Sequence, residues 1–136
     1  MALTLEDLED LTNNHRDPIR VGEIPIDVAK ILNLKNHNVY LSRFSLLHIQ
    51  AGHPDIDHFA LLNLPFGIER GLLVQEKTKP HIVLSSFVEA ATNTRFISAL
   101  KITQHGTEVW VSSFYRSSDR QTRSILQRGI ILQNHK

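Results

Sequence analysis

The chain contains no cysteine, which excludes disulfides and thiolate metal sites. It also has no apolar run approaching the about 20 residues that a membrane-spanning helix needs, so no membrane partner is expected. A large charge of one sign is missing as well. The 15 Lys and Arg residues face 14 Asp and Glu, for a net charge of +1, which argues against a protein that coats nucleic acid wholesale. The first residues, Met1-Ala2-Leu3-Thr4 followed by Glu6, Asp7, Glu9 and Asp10, lack the basic character of a secretory or transit segment. The expected setting is therefore the cytosol.

What is present fits one domain. A chain of 136 residues with 41% hydrophobic residues can bury one core, and two domains would each be too small. No internal repeat, low-complexity tract or linker divides it. We expect a single domain over 1–136, with residues 1–20 as an N-terminal extension and 21–132 as the core. Charge is uneven despite the small total. Residues 95–128 hold Arg95, Lys101, Arg116, Arg120, Arg123 and Arg128 against Glu108 and Asp119, a distribution suited to a local anion site.

The first half reads as helical. Thr4 and Asp7 form a capping-box pattern before Leu5, Leu8 and Leu11, and that helix should end near Asn13. Pro25 precedes a second short helix through Leu32. Asn38–Leu41 is a brief strand. Ser42 caps a third helix that Gly52 stops, with Pro54 just beyond. On it Phe44, Leu47, His48 and Ala51 share a stripe at helical spacing. Residues 56–70 read as a further short helix interrupted near Pro65 and Gly67.

From Leu72 the pattern alternates. Leu72–Glu76, His81–Phe87, Arg95–Thr103 and Thr107–Tyr115 read as four strands, the last two joined through Gln104-His105-Gly106. Ser118 and Gln121 form a second capping box, opening a helix that Gly129 closes, and Ile130–Leu132 adds a short strand. Helices followed by antiparallel strands predict an α+β domain with N-terminal helices packed on one face of a four-stranded antiparallel sheet.

Alternation places Lys101 and Thr103 on one sheet face. A symmetric three-residue loop would set Lys101 opposite Val109 and put Ser113 on the Lys101 face. A loop shorter by one residue would put Ser112 there. Arg120 and Arg123 fall in the opening turns of the last helix, where free N–H groups favour an anion and arginine is otherwise unfavourable. Histidine transfers protons near neutrality, and fixed cations stabilise charge growing on phosphate. A His, a Lys, hydroxyls and arginines together suit metal-free RNA cleavage.

Several segments in order carry a family resemblance. They are Pro25–Leu32, Val39-Tyr40-Leu41-Ser42, His48-Ile49-Gln50-Ala51-Gly52-His53-Pro54, Leu100-Lys101-Ile102-Thr103, and Val109-Trp110-Val111-Ser112-Ser113-Phe114-Tyr115-Arg116. Over roughly 21–132 the chain resembles phage-type nucleases of the barnase–EndoU–colicin–RelE (BECR) superfamily. The resemblance implies the BECR-like ribonuclease fold and a metal-independent endoribonuclease without cofactor. Such an enzyme acts as a toxin or effector, or on a phage particle, cutting RNA by 2′-OH attack to a 2′,3′-cyclic phosphate. It implies His48, Lys101, Thr103 and Ser113 as catalytic residues, with Arg116, Arg120 and Arg123 binding substrate. RNA is the implied partner, transfer RNA being one candidate, together with a cognate immunity or inhibitor protein. Leu47 stands where many relatives have a basic residue before the helix histidine.

Two other readings compete. His48, His53 and His58 recur every five residues beside Asp55 and Asp57, but five is not a one-face helical spacing, so no metal site is expected. His53 reads as a structural residue at the turn with Pro54. The second reading of the whole chain is a non-catalytic RNA- or protein-binding module of a phage or mobile-element protein.

Overall fold

In the computed structural model, which describes residues 3–134, the four predicted strands form the middle of a larger sheet. Residues 1–2 and 135–136, the ends of the expected 1–136 domain, lie outside the described residues. β3 (Leu72–Glu76), β4 (Ile82–Glu89), β5 (Thr94–Ile102) and β6 (Val109–Ser117) run as an antiparallel meander. β1 (Ile19–Glu23), β2 (Asn38–Leu41) and β7 (Gly129–Gln133) extend it to seven strands in the order β1-β2-β6-β5-β4-β3-β7. The β2–β6 pair is parallel, so the sheet is mixed. The expectation of a four-stranded antiparallel sheet is corrected to this extent, and the α+β class stands.

Local signals place the helices as their caps predict. α1 (Leu5–Thr12) opens on the Thr4/Asp7 capping box, α3 (Arg43–Gly52) on the Ser42 hydroxyl, and α6 (Asp119–Arg128) on the Ser118/Gln121 box. α2 (Ile26–Leu32) follows Pro25, and α4 (His58–Leu61) and α5 (Leu64–Arg70) divide the segment read as one interrupted helix.

The helices do not share one face. Leu8 and Leu11 of α1, Leu46 and Ile49 of α3, and Leu64 and Ile68 of α5 are buried with Val39, Leu41, Phe96, Leu100, Val111 and Phe114 in the main core. Ile125 of α6 is buried with Leu72, Val74, Leu84 and Ile97 on the other face. This second placement follows from topology. β6 and β7 are separated by three strands, and α6 crosses the sheet to join them. The segment expected to be an N-terminal extension supplies Leu8, Leu11 and Ile19 to the main core.

Register decides which polar side chains reach the α6 face. Lys101 pairs with Trp110, not Val109, because the turn after Ile102 runs through Thr103–Glu108. The register then shifts between Ala99 and Leu100, and Ala99 pairs with Ser113. Ser112 is the extra residue of this bulge, its hydroxyl donating to the Ala99 carbonyl at 3.1 Å. Ser113 therefore returns to the Lys101 face, by a route that loop length alone does not reveal.

Candidate active site

His81 sits immediately before β4, and its carbonyl accepts the Ile102 N–H at 2.8 Å. Lys101 lies opposite Ile82 on the same ladder. The β4–β5 pairing thus brings His81 and Lys101 to the adjoining ends of two neighbouring chain segments. Both line a hollow of about 450 Å³ on the α6 face, with Glu76, Lys79, Ser113, Tyr115 and Arg128 around them and Leu84 and Ala99 as its floor. Both also line a second hollow of about 710 Å³ at the strand ends, with Pro80, Thr103 and Gln104.

Each member has a structural reason for its place. α6 runs across the sheet from its Asp119 end, where Arg95 meets the carboxylate at 3.4 Å, to Arg128, beside Glu76. The end of α6 therefore delivers a guanidinium to the rim of the hollow. Lys79 and His81 come from the tight β3–β4 connection, stapled by the Gln75 side-chain amide donating to the Pro80 carbonyl at 2.9 Å. Lys79, Lys101 and Arg128 outnumber Glu76, so the hollow favours an anion.

Tyr115 closes one side. Burial holds its hydroxyl above the usual tyrosine range. The Arg128 guanidinium works against that shift and the Glu76 carboxylate adds to it. The phenol therefore remains a donor. Its ring stacks on His53, with centroids 5.5 Å apart. Gly52 ends α3 and brings His53 onto a residue of this hollow, so the histidine expected to be only a turn residue borders the site.

The predicted residues divide into two groups. Lys101 and Ser113 meet in the first hollow, and Lys101 and Thr103 in the second. The Thr103 hydroxyl also accepts the Glu108 N–H at 3.0 Å and so holds the β5–β6 turn. His48 joins neither hollow. Its helix buries Leu46 and Ile49 in the core under the opposite sheet face, and His48 is exposed, stacked on Phe44 with centroids 6.4 Å apart. His48, implied as a catalytic residue together with Lys101, therefore lies apart from it, on a helix packed against the other sheet face. A helical stripe identifies which residues lie together, and here the stripe of Phe44, Leu47, His48 and Ala51 is the solvent side.

Arg116 is also elsewhere. It points to the main-core side, where its guanidinium lies over Phe96 at 5.9 Å and pairs with Asp55 at 3.2 Å. Arg120 and Arg123 are exposed on α6. The N-terminus of that helix already has a carboxylate, Asp119, in its first turn, so the dipole is complemented without a bound phosphate.

The five-spaced histidines diverge. His48 stacks on Phe44, His53 on Tyr115, and His58 Nε2 lies 3.2 Å from the Thr12 hydroxyl. Among the described residues, no group of three or more His, Asp or Glu stands in an arrangement that could hold a metal ion. Among them, too, no helix is long and apolar enough to cross a membrane.

Sequence reasoning missed His81, Tyr115 and Arg128. The available signal was register. His81 leads into a strand that pairs with Arg95–Thr103, and counting across that hairpin would have brought it to the same end of the sheet as Lys101. Arg128 carried no such signal, because only the crossing of α6 over the sheet brings it there. Compared with models of known families, with curated proteins and with solved structures, the chain matches none of them.

Proposed function

We propose that this protein is a metal-independent endoribonuclease whose reaction centre is the hollow between His81, Lys101, Tyr115 and Arg128. The observation that carries the reading is the gathering of one imidazole, three cations and two hydroxyls around a single open hollow on the sheet face. These are the groups that phosphodiester cleavage without a metal uses.

The roles follow from chemistry. His81 takes the proton of the ribose 2′-OH, which attacks the adjacent phosphorus and forms a 2′,3′-cyclic phosphate. The departing 5′-oxygen receives a proton from Tyr115, a neutral donor in the hollow that burial keeps protonated. Lys101 and Arg128 face the non-bridging oxygens, where charge grows. Ser113 and Thr103 supply hydroxyls on the two sides of Lys101.

The test is incubation of purified protein with total RNA in EDTA, followed by mass spectrometry of the ends. Fragments ending in 2′,3′-cyclic phosphate and 5′-hydroxyl support the proposal. Intact RNA that is nevertheless bound would make the protein a non-catalytic RNA-binding module. Ends with 5′-phosphate and 3′-hydroxyl, formed only with added magnesium, would replace the mechanism with a metal-assisted one.

A further inference from the structure

α6 packs on the β3 side of its sheet face, and the β6–β2 side of that face carries half-buried aromatic residues. The chain's one tryptophan lies there. Trp110 is the direct cross-strand partner of Lys101 on β5 and of Tyr40 on β2. Directly paired residues share a face, with Cβ atoms roughly 5 Å apart. Tyr40, Trp110 and Lys101 therefore form a row across three strands, with the His81 hollow at its far end. The neighbouring positions agree with this phase, since Val39, Val109 and Leu100 point into the main core on the other side.

We infer that Trp110 and Tyr40 form a base-stacking subsite that holds one unpaired nucleotide beside the phosphate bound at Lys101. The inference rests on the reading of the Lys101 hollow as a ribonuclease centre. The two rings are half-buried, with centroids 5.7 Å apart and planes tilted by 45°, so they do not close on each other as a parallel stack. Part-exposed aromatic rings on a sheet, next to a cation, are the arrangement that grips single strands: stacking holds the base and the cation holds its phosphate. A base in a duplex is already stacked and paired, and cannot lie flat on the rings. The row thus selects single-stranded RNA, or a looped-out nucleotide, and sets which side of the base the scissile phosphate occupies. Because every base has a π-face, the subsite demands an unpaired base and little base identity.

Trp110 is the protein's sole tryptophan, so its fluorescence reports occupancy directly. The probe is a short single-stranded RNA fully 2′-O-methylated, which lacks the attacking hydroxyl. It should quench Trp110 saturably, whereas the same strand in a duplex should not. An oligonucleotide with abasic positions keeps the phosphates and loses the stack. By fluorescence anisotropy of a labelled strand, the wild-type protein should bind it roughly 5- to 150-fold more weakly. Trp110→Ala should lose the same factor on the base-bearing strand and nothing further on the abasic one, and Trp110→Phe should recover most of it. Equal wild-type affinity for base-bearing and abasic strands, without quenching, overturns the subsite even if RNA is cut at the hollow. Quenching by single strands in a protein that cuts no RNA leaves the subsite in place and removes the nuclease reading.

Discussion

The backbone N–H of Ile102 donates to the carbonyl of His81, and this bond holds the imidazole's strand against the strand that carries Lys101. The two side chains leave adjoining strand ends, and both face the same two hollows. In the proposed reaction, proton transfer and charge stabilisation fall to groups whose backbones this ladder-end bond ties together. A ladder is stiffer than a loop, which is what a preorganised site requires.

The two histidines should separate cleanly in kinetics. His81→Ala should lower the single-turnover cleavage rate by about 10²–10⁴-fold, with an unchanged circular dichroism spectrum, because His81 is exposed. His48→Ala should cleave at the wild-type rate. The reverse result would return the reaction to the solvent face of α3 and refute the site at His81.

The cations should divide in the same way. Lys101→Ala should cost about 10²–10³-fold in rate, the scale of a lost donor to a developing charge. Arg128→Ala should weaken RNA binding and flatten its salt dependence, because it removes a phosphate contact. Arg116→Ala should leave RNA affinity unchanged, since its guanidinium is on the other face with Asp55 and Phe96. Filter binding over a series of salt concentrations checks both.

Tyr115 predicts a response to alkali. Its hydroxyl titrates above the usual tyrosine value of 10.0 in the folded protein, mainly through burial. Above that usual value the unfolded chain has lost a proton that the folded chain still holds. Unfolding then becomes more favourable as pH rises. Stability against urea should decline from about pH 10 upward, and Tyr115→Phe should remove that part of the decline. A phenolate absorbance titration should show one tyrosine shifted upward and should lose it in the variant.

Leu8 tests whether the first residues belong to the domain. It is fully buried in the main core with Leu11. Leu8→Ala should destabilise the protein by about 2–5 kcal/mol, as a truncated core leucine does, measured by denaturant unfolding. A change near zero would make α1 a dispensable extension.

Much of this architecture is determined by the sequence alone, because its causes are local. Hydroxyl caps at Thr4, Ser42 and Ser118 begin helices through hydrogen bonds that span three residues, and alternation from Leu72 onward specifies strands. The facing of Lys101 relative to its neighbours is equally local, being a matter of period two. What the tertiary structure decides is everything that depends on distant pairing. The bulge at Ser112 restores Ser113 to the Lys101 face, a shift that needs both strands to be present. α6 lies on the second face because β7 pairs with β3 at the far edge, and that crossing alone brings Arg128 to His81. His48 and His53 show the division most plainly. Both lie in one short segment, and their five-residue spacing puts them on different sides of a helix, but only the packed sheet decides that His48 meets solvent while His53 meets Tyr115. Local hydrogen bonds and periodicity need a few neighbouring residues. Which face is covered depends on long-range burial, and that belongs to the assembled sheet.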